Sequence, residues 1–175
     1  MADTDAILDA AGALFARHGV AEVGMADIAR TAGCSRATLY RCFPSREALH
    51  EAYVHRETHR VFAEVGRTLP ASADPGTRLA EAMALALHAV RSSPAMSSWF
   101  ARTEPPIGGQ LATRSAVIIE LAASFLTALG IDDARPRARW LVRVMVSLLL
   151  FPGESTEAER AMLMQFVVPQ LLTVQ

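Results

Sequence analysis

Apolar residues fall at helical spacing along nearly the whole chain. Ile7, Leu8, Ala11, Leu14 and Phe15 occupy one face of a 3.6-residue period. Thr4 is a suitable N-cap and Gly19 a suitable stop, which predicts a first helix from Thr4 to about His18. A second is expected from Met25 to about Ala32, turning at Gly33, and a third from Arg36 to Cys42, stopped by Pro44. Ser45 then caps a long helix to about Thr68, with Glu47 in its first turn, where the helix dipole favours an acid.

The stretch LPASADPG, Leu69 to Gly76, is the clearest break in composition. Beyond it the pattern predicts helices over about Thr77–Arg91, Ser93–Arg102, Leu111–Leu129, Asp133–Phe151 and Thr156–Thr173. With two prolines and two glycines, Glu104 to Gln110 reads as a loop. The expectation is an all-α chain of about nine helices: a three-helix head over residues 1–50 and a larger helical body over 51–175. The last two helices are apolar on more than one side, so a second face of each must be buried somewhere.

Charge and cysteines narrow the class. The net charge is −1, so any electrostatic footprint for nucleic acid must be local. Cys34 and Cys42 are the two cysteines, too few for a disulfide framework and without partners at metal spacing. Asp3, Asp5 and Asp9 occupy the region where a secretory leader would be basic and apolar, so a cytoplasmic setting is expected. Val144 to Phe151, the longest apolar run, is too short to span a bilayer, and no membrane partner is expected. No nucleophile elbow, phosphate loop or acid–base pair stands out, and neither catalysis nor a cofactor is expected.

The local footprint lies between Gly24 and Leu49. No acid falls between Asp27 and Glu47, while Arg30, Arg36, Arg41 and Arg46 all do. Helix, glycine turn, helix is the helix-turn-helix arrangement. Ile28, Ala29, Cys34, Leu39 and Phe43 would form its small core. The second helix would then present Ser35, Arg36, Thr38 and Arg41 to a major groove. Arginine pairs bidentately with guanine, and threonine can touch a thymine methyl. Tyr40 and Arg46 suit phosphates. On charge and spacing alone, a helical hairpin with solvated arginines is the alternative.

The residues themselves say more. DIARTAGCSRATLYRCFPSREAL closely resembles the DNA-binding segment of the tetracycline-repressor (TetR/AcrR) family. The matching features are Ile28-Ala29, Ala32-Gly33, Ser35, Thr38-Leu39-Tyr40, Phe43 and Ser45-Arg46-Glu47 with Leu49. Ala10-Ala11, Leu14-Phe15 and Gly19 fit the family's opening helix. The resemblance covers about residues 5–53. It implies a regulator, usually a repressor, that binds a palindromic double-stranded DNA operator as a homodimer joined through its last two helices. A small-molecule effector in the C-terminal domain would release it. Ser35, Arg36, Thr38 and Tyr40 then lie in the recognition helix, and Arg46 takes a phosphate-contacting position.

Three features depart from the family pattern. Gly24 and Met25 stand where threonines are usual, Cys42 where tyrosine or histidine is usual, and there is no basic N-terminal arm. They motivate an alternative, a regulator-like ligand sensor with weak or lost DNA binding. In the body, the resemblance places Met83, His88, Met96, Trp99 and Phe100 on cavity-walling helices. Arg114 is a candidate for orienting an anionic ligand. Trp140, Arg143, Leu148 and Phe166 are the candidate dimer-interface residues.

Overall fold

The apolar stripe of the first helix is buried as its spacing requires: Ile7, Leu8, Ala11, Leu14 and Phe15 are all in the core of α1 (Thr4–His18). The computed structural model describes residues 4–69, 74–101 and 107–172. After α1 come α2 (Met25–Thr31), α3 (Arg36–Cys42) and the long α4 (Arg46–Thr68). The body comprises α5 (Pro75–Ser92), α6 (Pro94–Ser97, extended by the 3-10 turn Ser98–Phe100), α7 (Ile107–Arg114), α8 (Ala116–Ala128) and α9 (Ala134–Leu150). The final rod, α10, runs over 156–172, built from Thr156–Met162, a π-helical turn Leu163–Val167, and Val168–Leu172. That makes ten helices among the described residues, and the chain is all-helical there.

The caps explain most boundaries. Ser35 Oγ accepts from Thr38 N–H and Ser45 Oγ from Ala48 N–H, each at 3.1 Å. α5 starts two residues before the expected Thr77, because Asp74 caps it and Pro75 suits the first helical turn. Asp74 accepts from the N–H groups of Gly76 and Thr77 at 3.0 Å each. The middle of the expected linker, residues 70–73, and the ends of the expected segments at 102–106 and 173 lie outside the described residues.

Three sequence expectations are corrected. Ile107 to Gln110 is helical rather than loop, and the expected Leu111–Leu129 helix is broken at Ser115. α7 and α8 meet there at 61°. Ser115 leaves the helix to cap α8 through Ile118 N–H, and its hydroxyl also meets His55 Nε2 of α4 at 2.8 Å. Gly108 is helical for a tertiary reason: a Cβ there would lie 2.6 Å from the Trp99 carbonyl oxygen. The third correction is the π turn in α10. Pro169 cannot donate to the carbonyl four residues back and crowds it. Just before it, Val168 N–H bonds instead to Leu163 O, five residues back.

α8 and α9 form an antiparallel pair, α5 packs across α4, α9 and α10, and α1 lies against α2, α4 and α6. Two ion pairs fasten α5 to α10, Glu81 to Arg160 at 3.1 Å and Arg91 to Glu159. Arg91 grips Glu159 through two 2.7 Å hydrogen bonds and also donates to Leu148 O at 2.9 Å. Glu159 is buried, accepts from Gly153 N–H as well, and is held below the usual carboxylate range chiefly by the Arg91 hydrogen bonds.

Candidate nucleic-acid interface and effector cavity

The head is organised around a left-handed glycine. Gly33 takes φ +66°, so the chain reverses in four residues between α2 and α3. Cys34 N–H closes the turn onto Ala29 O at 3.0 Å. Ile28, Ala29, Leu39 and Phe43 are buried, with Cys34 packed against them, as the sequence predicts. The opposite side of α3 is open: Ser35, Arg36, Tyr40 and Arg41 are exposed and Thr38 is half-buried. The Ser35 and Thr38 hydroxyls stand 2.9 Å apart, so the cap and its neighbour form one polar ridge at the start of the helix.

The four arginines separate into two kinds. Arg30 is paired with Asp27 at 2.6 Å. Arg46 folds back onto the junction between α1 and α2, its Nη2 donating to the carbonyls of Val20 and Ala21 at 2.8 Å each. Its side chain therefore braces the head. Arg36 and Arg41 make no ion pair or hydrogen bond among the described residues. Gly24 caps α2 without a side-chain hydrogen bond, Met25 is buried in the core and Cys42 is half-buried. The acids of the first helix are turned to the body: Arg56 of α4 pairs with Asp9 at 2.9 Å and Asp5 at 3.8 Å. Asp3 lies outside the described residues.

The body holds a partly open cavity of about 160 Å³. Val54, Thr58 and Phe62 of α4, Met83 and Ala86 of α5, and Met96, Trp99 and Phe100 of α6 and its extension line it. Gly108 and Ala112 of α7, Ala122 and Phe125 of α8, and Leu141 and Met145 of α9 complete it. Of the residues nominated from sequence, Met83, Met96, Trp99 and Phe100 come together here. His88 and Arg114 do not. His88 is exposed and within reach of the Ser92 hydroxyl at 3.2 Å, and Arg114 is exposed at the end of α7. The lining of α5 recurs at Leu79, Ala82, Met83, Ala86 and Val90, a single face, and His88 lies on the other. The family resemblance also puts the fourth helix in the wall, but the sequence argument named none of its residues, although Val54, Val61, Phe62 and Val65 already showed helical spacing.

Head and cavity share an aromatic cluster. Trp99 meets Phe15 of α1 edge to face at 5.4 Å, His50 of α4 at 4.9 Å, and stacks on Tyr53 at 5.9 Å. Burial, with some help from Arg46, pushes His50 down to about 4, so its ring is neutral near pH 7. Burial pushes the Tyr53 hydroxyl up to about 12.

On the far side of the body, α9 and α10 expose large apolar side chains. Trp140 is 41% exposed, Phe166 60% and Phe151 65%. Arg143 is exposed among them. Leu148 is buried within the chain, so it is corrected from candidate interface residue to core residue. No single helix among the described residues is long and apolar enough to cross a membrane.

A glycine-turned helix pair whose second helix carries unpaired arginines, set on a helical body with its own cavity, defines a helix-turn-helix regulator. The family described as "Bacterial regulatory proteins, tetR family" matches residues 7–53. The chain is 52% identical over 168 residues to "Uncharacterized HTH-type transcriptional regulator Rv1255c" of Mycobacterium tuberculosis, covering 94% of this chain and 83% of that one. It is 27% identical to "HTH-type transcriptional regulator AlkX" of the same species, with the same coverage of each. Among solved structures, the TetR family repressor AlkX from Dietzia sp., implicated in biodegradation of n-alkanes, superposes with a TM-score of 0.73. That match has 24% identity and covers 96% of this chain and 94% of the other. The chain belongs to the tetR family of helix-turn-helix transcriptional regulators, a family of regulators rather than enzymes.

Proposed function

We propose that the protein is a ligand-responsive repressor that binds a palindromic operator as a homodimer and leaves it when the body cavity is filled. The single observation that carries the reading is the open face of α3, where Arg36 and Arg41 stand unpaired beside the Ser35–Thr38 ridge. Arginines without internal partners are free to meet guanine edges or phosphates. In this reading Tyr40 adds a backbone contact and Arg46 holds the head in shape. The head is the unit up to about residue 50. α4 continues from it into the body, which gives the cavity a rigid lever on the head.

Dimerisation is assigned to α9 and α10, with Trp140, Arg143 and Phe166 at the interface. Exposed aromatic residues on neighbouring helices favour burial against a second copy. Two recognition helices would then enter successive major grooves about 34–36 Å apart. A ligand releases DNA only if it prefers the conformation in which that spacing is wrong. The Dietzia relative's description as a repressor is consistent with the sign of regulation chosen here.

A second reading is favoured by specific residues. Gly24, Met25 and Cys42 offer no polar side chain to the backbone, and Arg30 and Arg46 are engaged, so the head could sense ligand while holding DNA weakly. Selection from random duplex DNA separates the two readings. The repressor reading predicts enrichment of an inverted repeat with half-sites one helical turn apart; no enriched sequence would favour the second. Light scattering on Phe166→Asp tests the interface, with a folded monomer expected.

A further inference from the structure

The walls of the body cavity point to a narrow class of ligand. Among the described residues, not one that lines the cavity is charged, and Thr58 carries the only side-chain hydroxyl. Trp99 also lines the cavity, and its indole N–H is buried without a hydrogen-bond partner. Several charges on the surrounding helices are committed elsewhere: Arg91 to Glu159, Glu81 to Arg160, and Arg56 to Asp9. A carboxylate or ammonium entering this space would lose its hydration and find no counter-charge. A hydrocarbon would lose nothing, and would exchange water for close contacts with Phe62, Met83, Phe125 and Met145.

We infer that the effector is an uncharged, mainly hydrocarbon molecule with at most one or two neutral hydrogen-bonding groups. Size narrows it further. A cavity of about 150 Å³ lined by apolar side chains accepts benzene. The volume here is about 160 Å³. That sets the scale at roughly six to ten carbon atoms before the walls must move. A single hydroxyl or ester oxygen can be met by Thr58; a carboxylate cannot be met at all. The position nominated from sequence for an anion, Arg114, is exposed and off the lining, so it supplies no counter-charge to the cavity.

The inference rests on the cavity being the effector site, and the test separates the two claims. Two matched pairs of probes are titrated into the full-length protein at pH 7: 1-octanol against octanoate, and toluene against benzoate. Binding is read by calorimetry and thermal shift, and release of the selected operator by fluorescence anisotropy. The neutral member of each pair is expected to bind saturably and raise the melting temperature. The carboxylate should bind at least about a hundredfold more weakly, since nothing offsets its desolvation. Ala86→Leu, which adds bulk to the lining, should weaken 1-octanol binding. If that variant does not fold, the wild-type pairs alone decide. Carboxylates that bind as tightly as their partners, or four probes that all fail to bind, overturn the inference. Neutral binding without DNA release leaves the ligand class standing and refutes the effector reading. Carboxylate binding with DNA release does the reverse.

Discussion

The Trp99 indole stands edge-on to the Phe15 ring, with centroids 5.4 Å apart and planes at 86°. Trp99 is a wall of the cavity and Phe15 is the fully buried anchor of the first head helix. No intervening residue is needed to carry a displacement from one to the other. His50, from the helix that joins head to body, completes the contact with both rings.

That position gives His50 a pH signature. The ordinary histidine value is 6.5, and burial lowers the folded value to about 4. Above pH 6.5 the ring is neutral in both states, and the stability is fully present. Between 6.5 and 4 the unfolded chain takes up a proton that the folded chain refuses, so stability falls. Below 4 both states are protonated and this loss ends. At about 1.4 kcal/mol per unit the loss is on the order of 3 kcal/mol. Arg46 and Glu47 are the charged groups that act on the ring. Urea melts from pH 7 to 4.5 should show the decline, and His50→Leu should flatten it. A wild type with no decline in that window would refute the buried neutral ring.

Gly108 predicts a clash. A methyl there would sit 2.6 Å from the Trp99 carbonyl and 2.8 Å from its Cβ. Gly108→Ala must push α7 away from Trp99 and should cost about 1–3 kcal/mol, the usual range for overpacking. Thermal melts read the cost, and tryptophan emission reads the displaced ring. An unchanged melting temperature would mean that α7 does not approach Trp99 this closely.

Arg46 is predicted to matter for stability before it matters for DNA. Its two hydrogen bonds to Val20 and Ala21 carbonyls are charge-assisted, a kind worth up to about 1.5–3 kcal/mol net of exchange with water. Arg46→Ala should lower the melting temperature of the protein without DNA. Loss of operator affinity at unchanged stability would restore it to the role of a simple phosphate contact.

The head was legible because its signals are local. Ser35, Gly33, Pro44 and Ser45 punctuate it, and α3 begins and ends where they require. What sequence could not supply was the pairing of charges. Arg30, Arg36, Arg41 and Arg46 look alike in a row, but Asp27 and two carbonyls some 25 residues away engage two of them. The body failed for a related reason. Two glycines read as a loop by composition, yet Gly108 is glycine because the backbone of Trp99 passes against it. His88 and Arg114 sit on cavity helices but on their outer faces, a distinction that helix membership alone does not make. Leu148 has an interface residue's chemistry, but its own chain already covers it.

The central claim is that Arg36 and Arg41 of each protomer read the operator. Operator affinity of wild type and of the Arg36→Ala, Arg41→Ala double variant, measured by anisotropy across a salt series, tests it most directly. Four arginines per dimer limit the wild-type slope of log affinity against log salt to roughly −4, at about 0.9 per phosphate neutralised. The account predicts a clear wild-type slope within that limit, and a double variant that folds normally but loses specific binding. Equal affinity in the two proteins would contradict it.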